Sequence, residues 1–314
     1  IHGLTENTVK GDLFVSIFGG GTSKTEYEAL TSNSMAFMPK GSTPYVTYIN
    51  RKTSSLATNL RAQGYGGMVA MHPYKGSGYK RNKVYPLLGF DKFYDLPEFN
   101  NAKVIRNHVS DEGNFDKIIK VYEQNRKKDK KPFFLFDVTM QNHNPYTKKS
   151  SFKEPIKVTS FQADPEVEQY LSLIHESDAA LQKLIAYYEK QPEQAVIVFF
   201  GDHQPHLPDS FYFQMTGKIP AGFTKEEALK KYEIPFLIWA NYDITEKEIE
   251  KSVVYTYENF KYISQLTIRN DGYINIELLQ KDSEEMVFYM YCKTDKKIMF
   301  ESLFDNYLYY ISQN

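Results

Sequence analysis

Asp202 and His203 are adjacent and follow an apolar run, Ala195 to Phe200, before Gln204-Pro205-His206. A carboxylate and an imidazole that protrude together from a strand end make a metal-binding pair. The plainer alternative is a turn with an aspartate cap, and His206 reads as a loop residue rather than a further ligand. Thr22 follows Gly19-Gly20-Gly21 and precedes Ser23-Lys24-Thr25-Glu26. Glycines let a ligand approach the backbone closely. A helix starting at or just after Thr22 offers unpaired N–H groups to an anion. The alternative there is a capped strand-to-helix turn, with Thr22 or Ser23 as the cap. The segment is neither a dinucleotide fingerprint nor a Walker A loop.

Two more segments carry suitable groups: His72-Pro73-Tyr74 with Gly78-Tyr79-Lys80-Arg81, and Asn142-His143-Asn144-Pro145-Tyr146. Arginine with histidine suits a phosphate or sulfate oxyanion, against a plainer reading as exposed loops. His2, His108 and His175 have no partner in sequence and read as structural or surface residues. A threonine hydroxyl is a poor nucleophile unless a base or a divalent metal activates it. A metal also screens the charge of an attacked phosphoryl group. Together these residue types describe phosphoryl or sulfuryl transfer.

The elements that must position these groups are short apolar runs followed by punctuation: Leu13 to Phe18, Gly66 to Met71, Pro132 to Met140, Ala195 to Phe200 and Ile234 to Ala240. Helical patterns over Ser54 to Gln63, Asn114 to Lys128 and Glu166 to Lys190 separate them. The alternation predicts an α/β fold, a mainly parallel sheet with helices on both faces. Ligands bind such sheets beyond the carboxyl ends of the strands, where Thr22, His72, His143 and Asp202-His203 fall. After about Asp243 the pattern changes. Tyr273 to Leu278, Met286 to Tyr291 and Lys297 to Phe300 read as strands, with a helix near Asp305 to Ser312. The expected organisation is a catalytic domain over 1–244 and a small antiparallel α+β subdomain over 245–314.

Composition narrows the class. A 41% hydrophobic, 25% charged chain of 314 residues is globular. With 38 basic and 39 acidic residues the net charge is -1, so no bulk basic field exists to hold nucleic acid. Cys292 is the only cysteine, which excludes an internal disulfide and a cysteine zinc cage. No apolar run reaches the ~18 residues of a membrane helix. The basic run Arg126 to Lys131 reads as a solvated helix end. The first residue is Ile1 rather than methionine, which predicts further chain upstream.

The runs FGGGTSKTEYEALT, GSTPYVTYI, HPYKGSGYKRNKVYPLLGFDKFYD, QNHNPY and FFGDHQPHLP, in that order over about residues 1–243, resemble lipoteichoic acid synthase-like phosphoglycerol transferases of the alkaline phosphatase/sulfatase superfamily. The resemblance implies that Thr22 is a covalent nucleophile and a ligand of manganese or magnesium. Asp202 and His203 would be further metal ligands. His72, Arg81 and His143 would hold the phosphate or glycerol part of the substrate, and Tyr79 would line that pocket. Implied partners are a phosphatidylglycerol-type lipid donor and a hydroxyl acceptor on a teichoic-type polymer or glycolipid. Such proteins carry N-terminal membrane helices and place the catalytic domain on the extracellular face of the bacterial cell membrane. They supply a glutamate metal ligand from a strand expected upstream of Ile1. Residues after about 245 match only loosely. A hydrolase of the same superfamily is the first alternative. Its formylglycine sulfatase form needs a C/S-x-P-x-R signature, whereas the positions from Thr22 read Thr-Ser-Lys-Thr-Glu. A catalytically inactive module that binds anionic glycolipid is the second.

Overall fold

The computed structural model describes residues 3–146, 152–153 and 155–244, together with four strands within 252–293. Contacts divide the chain into two compact units, Ile1–Met35 with Pro39–Ile244, and Ala36–Met38 with Thr245–Asn314. The first unit opens with β1 (Thr8–Phe14) and α1 (Ser23–Thr31), followed by α2 (Pro44–Thr47), α3 (Leu56–Ala62) and β2 (Gly67–Met71). Helix α4 (Arg81–Leu87) leads to β3 (Lys92–Tyr94) and to a hairpin of β4 (Val104–Ile105) and β5 (His108–Val109). Then come α5 (Asp111–Lys128), β6 (Phe133–Asp137), α6 (Pro165–Tyr188) and β7 (Val196–Phe200). Helices α7 (Asp209–Thr216) and α8 (Lys225–Leu229) precede β8 (Glu233–Ala240).

The α/β class is as expected, but the strands form two three-stranded sheets. One, in the order β3-β2-β6, is parallel. The other, β1-β8-β7, is antiparallel on both sides of β8. The first strand differs from the expectation of Leu13 to Phe18. Strand β1 runs from Thr8 opposite Trp239 to Phe14 opposite Glu233, where β8 begins. Val15 makes one further bond, N–H to the Tyr232 carbonyl at 2.9 Å, and the ladder ends. Val15 and Ile17 are still buried, so their apolar character reports burial in a connector rather than pairing. Gly11 faces Phe236 in β8, and a Cβ there would lie 2.8 Å from its ring.

Helix α5 serves the cores of both sheets. Phe115 and Tyr122 pack with Leu181, Leu184 and Ile185 of α6 and with Leu237 and Trp239 of β8. Val121 packs with Val69 and Met71 of β2 and Tyr94 of β3. Each such side chain stabilises by about 1.5–3 kcal/mol when fully buried. The helix starts at Asp111, three residues before the pattern implied, because the Ser110 hydroxyl caps it by accepting from the Gly113 N–H. Asp111 and Glu112 open it and Arg126, Lys127 and Lys128 close it, each suited to the dipole end it occupies. The basic run is thus a helix end, with Arg126 reaching Glu193.

In the second unit β9 (Ser252–Glu258), β10 (Tyr262–Arg269), β11 (Tyr273–Gln280) and β12 (Met286–Lys293) form an antiparallel sheet in the order β12-β11-β10-β9. The last two match expected strands, and the first two were not anticipated. The expected strand at Lys297 to Phe300 and helix at Asp305 to Ser312 lie outside the described residues, as does His2.

Candidate active site

The turn before α1 is built from backbone that only glycine adopts readily. Gly19, Gly20 and Gly21 have φ of 70°, 149° and 99°. At Gly19 a Cβ would also come within 3.2 Å of the His206 Cβ. Thr22 occupies the cap position of α1, yet its side chain makes no capping bond. Its hydroxyl instead donates to Asp202 Oδ2 at 2.6 Å. The neighbouring hydroxyls differ. Ser23 is fully buried, and Thr25 is buried with its Oγ1 donating to the Asp202 carbonyl at 2.7 Å.

Asp202 and His203 follow β7. His203 Nδ1 lies 2.8 Å from the Gln204 carbonyl, which can only accept, so Nδ1 carries the hydrogen. The other ring nitrogen, Nε2, sits 3.2 Å from Asp202 Oδ2. Such a contact is satisfied by a proton on Nε2 or by a cation that both atoms coordinate. Thr22 Oγ1, Asp202 Oδ2 and His203 Nε2 therefore fit a divalent metal by donor chemistry. Among the described residues no group of three His, Cys, Asp or Glu side chains gathers, so this set supplies three donors only by including the threonine. His206 is exposed and lies beside Phe18, with ring centroids 6.0 Å apart.

The expected anion-holding residues are placed differently from one another. Arg81, at the start of α4, is buried against Glu26 of α1. Its Nε lies 3.1 and 3.2 Å from the two carboxylate oxygens, and Nη2 also donates to Glu26. Tyr85 completes the cluster, its hydroxyl donating to Glu26 at 2.8 Å. Burial opposes the Arg81 charge, but the carboxylate outweighs it and holds the guanidinium pKa above its ordinary value. Tyr79 is 38% exposed with φ of 50°, and the Arg81 guanidinium lies 5.2 Å from its ring centroid.

His72 is 3% exposed, and its Nδ1 donates to the Val138 carbonyl at 2.8 Å. Burial, followed by the Arg81 cation, lowers its pKa to about 4. The neutral ring then offers Nε2 as an acceptor, which suits a substrate hydroxyl rather than a phosphate oxygen. His143 is exposed, its Nδ1 2.7 Å from the Asn144 carbonyl.

Sequence reading missed Glu26 beyond its place in a first helical turn, and it missed Arg106. Arg106 sits at the tip of the β4–β5 hairpin, where it and Asn107 have φ of 53° and 67°. Its Nη2 donates to the carbonyls of His143, at 3.2 Å, and Pro145. Its guanidinium lies 5.4 Å from the Tyr146 ring centroid. His108, read as isolated, stands 6.0 Å from His143 between ring centroids. No signal within one segment joins groups so far apart in sequence.

A family model described as Sulfatase matches residues 3–266. A Rhizobium meliloti protein named for cyclic beta-1,2-glucan modification is 35% identical over 243 residues, 74% of this chain and 36% of that protein. A lipoteichoic acid synthase of Staphylococcus saprophyticus is 28% identical over 190 residues, 59% of this chain and 28% of that protein. This chain thus spans about a third of these relatives' lengths. The structure of the Streptococcus pyogenes phosphoglycerol transferase GacH in complex with sn-glycerol-1-phosphate has a TM-score of 0.58 at 24% identity. That match covers 77% of this chain and 61% of that one, and it shows a shared fold. Because the family model runs through both sheets and every segment of the site, the chain belongs to the sulfatase family.

Proposed function

We propose that residues 1–244 are the catalytic domain of a phosphoglycerol transferase, and that 245–314 are a small C-terminal subdomain. The donor would be a phosphatidylglycerol-type lipid, and the acceptor a hydroxyl on a teichoic-type polymer or glycolipid. The observation that carries this is the Thr22 hydroxyl, free of capping duty and directed at Asp202 beside His203. Likeness to a lipoteichoic acid synthase and to a phosphoglycerol transferase supports the transferred group. A formylglycine sulfatase is disfavoured because Thr22 stands where its Cys or Ser signature would begin.

Thr22, Asp202 and His203 would hold manganese or magnesium, with a further ligand expected from outside these residues. The bound ion would supply a more acidic threonine hydroxyl and charge neutralisation at the phosphoryl group. Thr22 Oγ attacks phosphorus as its proton, directed at Asp202 Oδ2, is lost to solvent, and the bond from phosphorus to the diacylglycerol oxygen breaks, that oxygen taking a proton from solvent. An acceptor hydroxyl then attacks the same phosphorus and loses its proton, and the Thr22 Oγ–phosphorus bond breaks as Oγ takes a proton back. Arg81 donates to the phosphoryl oxygens, His72 Nε2 accepts from a glycerol hydroxyl, and His143 and Tyr79 border the pocket. Among the described residues no helix is long and apolar enough to cross a membrane. The proposed place of work is the extracellular face of the bacterial cell membrane.

The test is to incubate the protein with manganese and a labelled phosphatidylglycerol analogue, without acceptor. Label on the peptide at Thr22, absent from Thr22→Ala, is the expected result. Equal turnover by Thr22→Ala would end the covalent reading.

A further inference from the structure

The Arg81–Glu26 pair is buried on both sides, each side chain 3% exposed. A buried ion pair is a poor device for stability, since hydrophobic side chains of similar volume often do as well. Here one carboxylate gathers an arginine and the Tyr85 hydroxyl. Its place in the chain is informative: Glu26 lies four residues after Thr22, one turn along the same helix. The guanidinium is used unevenly. Nε and Nη2 are committed to Glu26, whereas Nη1 has only a 3.5 Å approach to the Gly78 carbonyl. A carboxylate on the Nε–Nη2 edge takes the Nε hydrogen and one of the two on Nη2, which leaves both hydrogens of Nη1 and the second of Nη2 to give. The bonds from Nε and Nη2 to Glu26 also hold the guanidinium against rotation, and Glu26 belongs to the helix whose first end bears Thr22.

We propose that Glu26 is a positioning residue for the transfer reaction, occupying one edge of Arg81 so that Nη1 is presented to the substrate phosphoryl group in register with Thr22. This rests on the reading above that Arg81 contacts that group. Helix α1 would then set both the nucleophile and, through Glu26, the cation opposite it. An arginine without the carboxylate would sample other rotamers, and a misplaced clamp lowers the rate more than the affinity.

The test measures kcat, KM and Tm on the full chain with manganese and a fluorescent phosphatidylglycerol analogue. The variants are Glu26→Gln, Glu26→Asp, Arg81→Ala and Glu26→Gln/Arg81→Ala. Glu26→Gln should lower kcat at least tenfold with KM changed less than threefold. In the Arg81→Ala background the same change should cost less than twofold further, because Glu26 acts through Arg81. If Glu26→Gln fails to fold, Glu26→Asp keeps the charge one methylene shorter and should show the same loss in kcat. A kcat/KM within twofold of wild type for whichever variant folds, with Arg81→Ala impaired, overturns the positioning role alone. Unchanged activity in Arg81→Ala overturns the clamp reading and the positioning role with it.

Discussion

The Thr22 hydroxyl donates to Asp202 Oδ2 across 2.6 Å, although 180 positions separate the two residues. Thr25, one helical turn along, holds the Asp202 carbonyl at 2.7 Å, so α1 grips the turn after β7 by both its backbone and its side chain. That double contact fixes the Thr22 hydroxyl against the Asp202 carboxylate.

Asp202→Asn should weaken manganese binding. The amide keeps the shape but removes the charge and offers one acceptor oxygen. Changes in outer-shell groups cost about 10–100-fold in affinity, and loss of a direct ligand should cost at least as much. Calorimetric titration with manganese reads this without any turnover. Equal affinity in the variant would remove Asp202 from the metal.

Gly19→Ala should destabilise the chain by about 1–2 kcal/mol, the usual cost of a left-handed backbone for a residue with a Cβ. The new methyl also meets the His206 Cβ at 3.2 Å. Urea denaturation measures the loss, and an unchanged midpoint would show that the turn relaxes freely. Gly20→Ala provides a comparison in which φ is 149° and no atom lies within 4 Å of the added carbon.

Stability should fall as the pH drops below about 6.5. His72 has a folded pKa of about 4 and an ordinary value of 6.5. The unfolded chain therefore takes up a proton that the folded chain refuses. The contribution is complete above the unfolded value and is lost as pH falls through the folded one. At pH 5 the loss is about 2 kcal/mol. His72→Gln should flatten this part of the profile, as read by urea midpoints between pH 5 and pH 7.5. A variant with the same slope as wild type would show that other groups cause it.

Asp137→Asn should raise Tm, and by more as pH increases from about 4 to about 8. Asp137 Oδ1 is shut off from solvent without a partner, and Oδ2 accepts from Asn114. Burial, and then the nearby Asp111 charge, raise its pKa from 3.8 to about 8. For an acid with a raised folded pKa, stability is complete below the unfolded value and is lost as pH rises through the folded one. An asparagine cannot ionise and still accepts from Asn114. A Tm difference that is constant over this range would count against the buried carboxyl.

The sequence alone singled out the candidate site residues and most of the elements that carry them. Its cues were local: glycines before Thr22, punctuation after Phe200, helical periods around α3, α5 and α6. Burial, capping and turn formation depend on residues a few positions apart, so they are readable from a window. What a window does not contain is a partner. The apolar run Leu13 to Phe18 is genuinely buried at Val15 and Ile17, but the paired strand lies at Thr8–Phe14 because β8 ends at Glu233. Arg81 reads as a free phosphate clamp, yet Glu26, 55 positions away, takes its Nε–Nη2 edge. Arg106 and His108 carry no motif, but the hairpin sets them against the loop of His143. Tertiary structure alone decides which hydrogen-bonding edges are consumed and which remain, because hydrogen bonds and ion pairs are set by distances of about 3 Å that sequence separation does not constrain.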